Sequence, residues 1–445
     1  MRKAHTRALA LVAGVAALGL LAGCSAPSSP SASATSKKPA VIDVWGWDAE
    51  MTPNIVKAFN ASHTDVQVNY VLQASNPATV TNFRNVMKSK KGIPCWVPAT
   101  GPVTTAVVNG WAQDITKYIK PIESKFSAGA LAGAKLDGEY YGFPSGPDAT
   151  FALVNEKVYS DNGIAVPKTW DDLIAAGKQL KPKGITVINL AGEDPSTLIQ
   201  IEQLAGAKWF TIDGDRWKVN FTDANSLKGA DVIQQIVDND LASHQTYQDR
   251  PSLYAYFDSG KLATVPLAWW SLFGYQTNLK ASLGTWKAVD FPQLSDSGPF
   301  KAPGIANPGI VPVGCKNPAA AVEYQTWVAT SAAGIAASKS AKTDAISLPT
   351  SLKDVSKYTA AIVPDKLIDP AQSKDQVGAV ISKAQSAAIG SFNEGPDYDA
   401  WFPELQDQWG KAMAKQITVK QALENVQAFV VQDLKTKGIN YTVAK

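Results

Sequence analysis

The order of elements at the start of the folded chain constrains its architecture most. Residues 41–45 (VIDVW) are a short apolar run, residues 54–60 read as a helix, and residues 66–72 alternate Val66, Val68, Tyr70 and Leu72 with the period of a strand. A second helical stretch, 79–88, follows. A strand, a covering helix and a second strand at this spacing favour parallel pairing, with the helix laid over one face. The expected class is therefore α/β.

Later helices carry readable caps. Thr169 precedes Trp170, Asp171 and Asp172, so its hydroxyl can accept a backbone N–H while the acids favour the positive helix end. Asn317-Pro318 opens another helix, with Pro in the first turn, where its missing N–H costs nothing. That helix is expected to run to about Ser331 and stop near Gly334. Thr418 and Gln421 have the spacing of a capping box. Val419, Ala422, Leu423, Val426, Phe429, Val430 and Leu434 then recur on one face, and Gly438 closes the helix.

The N-terminus has the pattern of an export leader. Arg2, Lys3 and Arg7 precede an apolar run, 8–21, that is short for a membrane span. Leu21-Ala22-Gly23-Cys24 follows and resembles the bacterial lipobox, which implies cleavage before Cys24 and lipid on its thiol. Residues 25–38 are nearly all Ser, Ala, Pro, Thr and Lys. Such a segment has nothing to bury and is expected to be a flexible tether.

About 405 residues follow the tether, enough for two or three domains or lobes. The chain has 42 Lys and Arg against 39 Asp and Glu, and removing Arg2, Lys3 and Arg7 leaves the mature chain balanced. Composition thus gives no support for a nucleic-acid partner, which would want a basic face. Only His63 and His244 lie beyond the leader, with no metal set around them, and no cofactor motif stands out. Cys95 and Cys315 remain after Cys24. In an oxidising compartment they fit either a disulfide across a long loop or two separate buried thiols. Of 13 Trp residues most should be core, but an excess on a cleft would suit a ligand with flat apolar faces, such as a sugar ring.

Six segments, in order, resemble the extracellular solute-binding lipoproteins of ABC transporters, in the sugar-binding group similar to maltose-binding protein. They are VIDVWGWD (41–48), GWAQDIT (110–116), DGEYYGFP (137–144), LVNEKVYSDNGIAVPKTWDDL (153–173), FDSGKLATVPLAWW (257–270) and ITVKQALENVQ (417–427). The fourth is the strongest, against the group's Tyr-Asn-Lys, Gly-Ile, Pro and Thr-Trp-Asp-Glu-Leu. Two departures touch local contacts: Pro94-Cys95-Trp96-Val97 stands where the group has Pro-Asp-Val, and Val154 replaces a Tyr.

The resemblance implies a two-lobed α/β fold of the periplasmic-binding-protein type (type II), with a ligand cleft between lobes joined by hinge crossings. Residues 1–23 would be the leader and 24–40 the anchor and tether. Residues 41–147 with 298–332 would form lobe 1, and 148–297 with 333–445 lobe 2. It also implies that the strand after Pro94 lies beside a returning strand at about 309–314, which brings Cys315 to Cys95 as a disulfide. Lobe closure over a sugar or oligosaccharide, docking on an ABC permease, a monomeric state and anchoring at the extracytoplasmic face through Cys24 follow from the same resemblance. No cofactor or reaction is implied.

The implied ligand residues are Trp47, Asp48, Asp148, Glu193, Trp269, Trp270 and Trp401. Aromatic faces would stack on sugar rings, and carboxylates would bond hydroxyls. Of Trp269 and Trp270, one should face ligand and the other pack. Structural readings compete. Any Trp can be core, as Trp45 is expected to be; Asp48 can cap the next helix; Glu193 and Asp194 can form a solvated turn; Asp148 can be a hinge salt-bridge partner. Two rival functions are a non-sugar solute on the same fold and a glycoside-processing enzyme built on a carboxylate pair.

Overall fold

The computed structural model describes residues 38–98, 101–296, 298–341, 345–389 and 393–443. The leader, Cys24 and the tether up to residue 37 lie outside the described residues. The folded part starts with strand β1 (Ala40–Gly46), helix α1 (Met51–Ser62), strand β2 (Val66–Leu72) and helix α2 (Asn76–Ser89). β1 and β2 pair in parallel from Ala40 with Val66 to Gly46 with Leu72. α1 buries Ile55, Val56 and Phe59. Ser75 caps α2 by accepting the N–H of Ala78, and Pro77 occupies its first turn. Trp96 extends the parallel set through Val44, and Val97 pairs antiparallel with Ile310. The chain therefore leaves and re-enters this lobe, and a disulfide joins Cys95 to Cys315, with Cα atoms 4.7 Å apart.

The first crossing to lobe 2 is β3 (Asp148–Ala149), followed at once by β4 (Phe151–Asn155). Every residue of β4 is buried. The cause is its central place in a sheet, with β5 (Thr264–Leu267) and β6 (Trp286–Val289) antiparallel on either side. Alternation sends Phe151 and Leu153 into one apolar cluster and Val154 into another. α3 (Trp170–Leu180) begins with the expected reciprocal box between Thr169 and Asp172. The return crossing, β7 (Gly304–Ile305), pairs antiparallel with β3.

Back in lobe 1, α4 (Pro318–Thr330) ends where Ser331 turns extended, and Ser331 itself caps α5 (Ala332–Ala337). Gly334 is thus not the stop that its position suggests. It lies inside α5, where a Cβ would come within 2.4 Å of the Trp327 carbonyl oxygen. α5 packs against α1, so it goes with lobe 1, although the expected division puts residues from 333 on in lobe 2. The chain then returns to lobe 2 and ends in the packed pair α6 (Tyr398–Met413) and α7 (Val419–Thr436). Thr418 caps α7 by accepting the Gln421 N–H. The reciprocal half of the expected box, from the Thr418 N–H to the Gln421 side-chain oxygen, is not formed; that side chain turns along the helix and donates its amide N–H to Asn425 Oδ1 at 3.0 Å. Phe429 also departs from the expected face: it is 36% exposed, while the other six apolar positions are buried.

Candidate functional site

The site forms where the crossings meet lobe 2. Two glutamines fix the crossings from outside the strands. Gln203 donates to the Gly304 carbonyl at 3.1 Å and accepts the Gly304 N–H at 3.1 Å. Gln385 accepts the Ala149 N–H at 2.8 Å and donates to the Pro147 carbonyl at 3.2 Å. Each amide acts as an extra rung for backbone that would otherwise lack partners.

Asp148 opens the site. Its carboxylate accepts the indole N–H of Trp269 at 2.8 Å. Burial pushes its pKa up to about 6, and the Trp269 bond opposes that shift only in part. Trp269 packs against the apolar cluster beneath β4, while Trp270 turns outward at 57% exposure and walls a cavity of about 630 Å³. That volume is within the usual range for small-molecule sites. Tyr247, Tyr254, Tyr275 and Phe402 add aromatic surface, and Asn189, Glu193, Asp194, Gln200, Arg250 and Gln406 add polar groups.

The polar groups are held by local bonds. Glu193 Oε1 accepts the Thr246 hydroxyl at 2.6 Å and the Tyr247 N–H at 2.7 Å, and the Glu193 carbonyl accepts the Gln406 amide at 2.9 Å. Asn189 is committed to the 243–245 segment, accepting from Ser243 and Gln245 and donating to the Gln245 carbonyl. The Arg250 guanidinium lies 5.3 Å from the Tyr247 ring centroid. Burial pushes the Tyr247 pKa up to about 12, so its hydroxyl stays neutral and able to donate. Three carboxyl side chains and one guanidinium line the space, which suits a neutral, hydroxyl-rich molecule better than an anion.

Of the expected ligand residues, Asp148, Glu193 and Trp270 line this cavity, and Trp269 supports it from behind. The others lie elsewhere. Trp47 is 38% exposed at the carboxyl end of β1, outside this cavity. Asp48 takes its structural reading, accepting the N–H groups of Glu50 and Thr52 at the start of α1. Trp401 is a correction. It is only 2% exposed, its indole donates to the Glu394 carbonyl at 2.8 Å, and its ring meets Trp209, Phe210 and Phe221. An amphipathic helix start places it in the core, where it has no face for a ligand. The lining residues not singled out from sequence include Tyr247, Arg250 and Tyr254. Their spacing of three and four around the start of a helix was a usable signal.

Among the described residues there is no group of three or more His, Cys, Asp or Glu placed to hold a metal, and no helix is long and apolar enough to cross a membrane.

The model of the family described as bacterial extracellular solute-binding protein matches residues 54–368. The chain is similar to the arabinooligosaccharide-binding protein of Halalkalibacterium halodurans, 23% identical over 204 residues, covering 44% of each chain. It is also similar to the lactose-binding protein of Rhizobium radiobacter, 25% identical over 280 residues, covering 58% of this chain and 62% of the relative. The chain thus spans about half the length of the curated relatives it matches. Among solved structures, the galacto-N-biose-/lacto-N-biose I-binding protein of the ABC transporter from Bifidobacterium longum, in complex with lacto-N-biose, superposes with a TM-score of 0.75 at 20% identity. That superposition covers 91% of this chain and 100% of the other. The ABC transporter associated binding protein of B. animalis subsp. lactis, in complex with beta-1,6-galactobiose, gives 0.71 at 18% identity with the same coverage. At these identities the likeness establishes the two-lobed fold.

Proposed function

The chain belongs to the bacterial extracellular solute-binding proteins, and from that premise we propose that it is the substrate-binding component of an ABC importer for a sugar or oligosaccharide. The observation that carries the reading is the cavity at the crossings. It sets an outward Trp270 face beside Glu193, Gln406 and Tyr247, a stacking surface next to hydroxyl-bonding groups. The sugars in the names of the curated relatives support the same class.

The chain works by binding, without a chemical step. Ligand favours a closed arrangement because only there do both lobes touch it. The closed form is the one a membrane permease would take. The leader and Leu21-Ala22-Gly23-Cys24 support lipid anchoring at the extracytoplasmic face, which holds a monomeric receptor at high local concentration near its transporter. Replacing Cys24 by Ser should move the protein from the membrane fraction to the medium or periplasm, and unchanged partitioning would overturn the anchor.

A thermal-shift screen of the mature protein across neutral mono- and oligosaccharides tests the ligand class. At least one should raise the melting temperature and be recovered uncleaved. A flat response to every sugar, with a shift for another solute class, would reject the sugar reading. Cleavage products would reject the non-catalytic one.

A further inference from the structure

The two edges of the lobe 1 sheet differ. β1, β2 and the Trp96 stretch run parallel, so their carboxyl ends share one edge. That edge meets lobe 2, where the Thr104 hydroxyl, just past the Trp96 stretch, donates to the Gly395 carbonyl at 2.8 Å. The amino edge lies about 20 Å away, the length of a strand such as β1. The chain enters the lobe there, because β1 starts at Ala40.

This amino edge is basic. α2 runs back from the end of β2 and brings Lys88 in its last turn, with Lys90 and Lys91 just beyond, to the start of the Trp96 stretch. The segment through Ile310, antiparallel to that stretch, comes down to the same edge and delivers Lys316. All four lysines are exposed, and none is paired with a carboxylate among the described residues. The acid at this edge is Asp65, just before β2. The set is held in place. The Cys95–Cys315 disulfide ties its two segments, and Gly314 lies so close to Ile93 that a Cβ would sit 2.8 Å from Ile93 Cδ1. Val313, also exposed, adds an apolar side chain beside Lys316. Lys88 complements the carbonyl end of α2, but Lys316 precedes the amino end of α4, where a helix dipole disfavours a cation. Helix stability therefore does not account for Lys316.

We propose that the amino edge of lobe 1 is a docking face for an anionic phospholipid surface, which lays this lobe on the membrane and turns the cleft toward the medium. The inference rests on the reading of the chain as a receptor anchored at the extracytoplasmic face through Cys24. Residues 25–39 span at most about 50 Å, so the anchor keeps the edge within reach of the bilayer but does not orient it. The lysines supply orientation. Their attraction to anionic headgroups adds up within a Debye length, about 8 Å at physiological salt. The contact is therefore weak, reversible and screened by salt, and the receptor can lift from it to meet a permease.

Vesicle co-sedimentation tests this face with the mature Cys24→Ser protein, which has no lipid of its own. Vesicles of phosphatidylcholine alone are compared with an equal mixture of phosphatidylcholine and phosphatidylglycerol. The mixed vesicles should bind at least about tenfold more protein at low salt, and high salt should abolish the difference. Inorganic phosphate at matched ionic strength should not compete; displacement by it would reveal a site for the free ion and overturn the surface. The triple variant Lys88→Glu, Lys91→Glu and Lys316→Glu should bind mixed vesicles no better than neutral ones while keeping its melting temperature. Lys90 is left alone because it holds the left-handed turn that ends α2. Reversing Lys178, Lys218 and Lys435 of lobe 2 should leave vesicle binding nearly unchanged. Hydrogen exchange on mixed vesicles should slow at 88–93 and 313–316 and stay unaltered around Trp270. Equal binding to both vesicles, equal loss in the two triple variants, or protection at Trp270 instead would overturn the proposal. Fractionating cells in high salt removes this contact and reads the Cys24 anchor by itself, so the two readings fail separately.

Discussion

Tryptophans 270 and 401 show how one residue type divides between two jobs. Both close stretches that carry aromatic residues, 257–270 and 392–401, and the family resemblance gives them the same expected role. The difference is the neighbour on the other side of the ring. Trp270 follows a β-strand and projects from its end, while Trp401 is in the first turn of an amphipathic helix whose apolar side faces Trp209 and Phe221. Trp270→Ala should leave the melting temperature nearly unchanged and reduce sugar affinity tenfold or more, about 1.4 kcal/mol. Trp401→Ala should instead cost about 3–5 kcal/mol of stability, as for other large core truncations, read by denaturant unfolding. Equal melting temperatures for the two variants would refute this division. Glu394 gives a pH test at the same scale. Its folded-state pKa, raised by burial to about 8, lies above the ordinary value of 4.5. Between these values the folded state holds a proton that the unfolded chain has lost, so stability falls as pH rises through that window. Glu394→Gln removes the titration. Its stability relative to the parent should improve steadily from pH 4.5 to 8 and level off above, measured by melting temperature against pH.

At the level of elements, the early strands and helices were legible because each carries its own signal. β2 has the bounds that its alternation gives, and the box at Thr169 is closed on both sides. The expected division at 147/148 came from the family resemblance; the bonds that fix the joints have no local signal, because their partners are far along the chain. Lobe 1 makes its last crossing bond from the Phe143 N–H to the Gly309 carbonyl at 2.9 Å, and lobe 2 begins with Asp148 paired to Ile305. Gln203 and Gln385 hold the lobe 2 side of that boundary. Between those bonds the first two crossings run through residues 144–147 and 306–308, which hold three Pro and one Gly. Gly146 is in this stretch for a steric reason: a Cβ there would sit 1.9 Å from the Thr350 carbonyl oxygen. The segment around Thr350 also touches the first crossing through its hydroxyl, which donates to the Gly146 carbonyl at 3.2 Å. Gly146→Ala must push these two segments apart. The expected outcome is a lower melting temperature and a changed radius of gyration in the absence of sugar, with the Trp270 cavity itself intact. An unchanged scattering profile would show that the joint bends elsewhere.

Across the whole molecule, the disulfide decides how the two lobes depend on each other. Lobe 1 is assembled from two stretches of chain, and the first stretch of lobe 2 lies between them in sequence. The helices α4 and α5 join β1 and α1 in one core only after the chain has made its excursion. Cys95 and Cys315 tie the two stretches together over a separation of 220 residues. In the chain-entropy picture a loop of that length stabilises the folded state by about 5 kcal/mol, by restricting the unfolded ensemble. The cavity walled by Trp270 draws on neither stretch, since its lining lies in residues 148–307 and 402–406. Reduction, or the pair Cys95→Ser and Cys315→Ser, should therefore loosen lobe 1 selectively. Thermal unfolding of the reduced protein should separate into two transitions, the lower one from lobe 1, where the oxidised protein shows closer coupling. Between them a sugar that fills only the lobe 2 cavity should still raise the upper transition. If reduction lowers one common transition instead, the lobes fold as one unit and the selective loosening of lobe 1 is wrong.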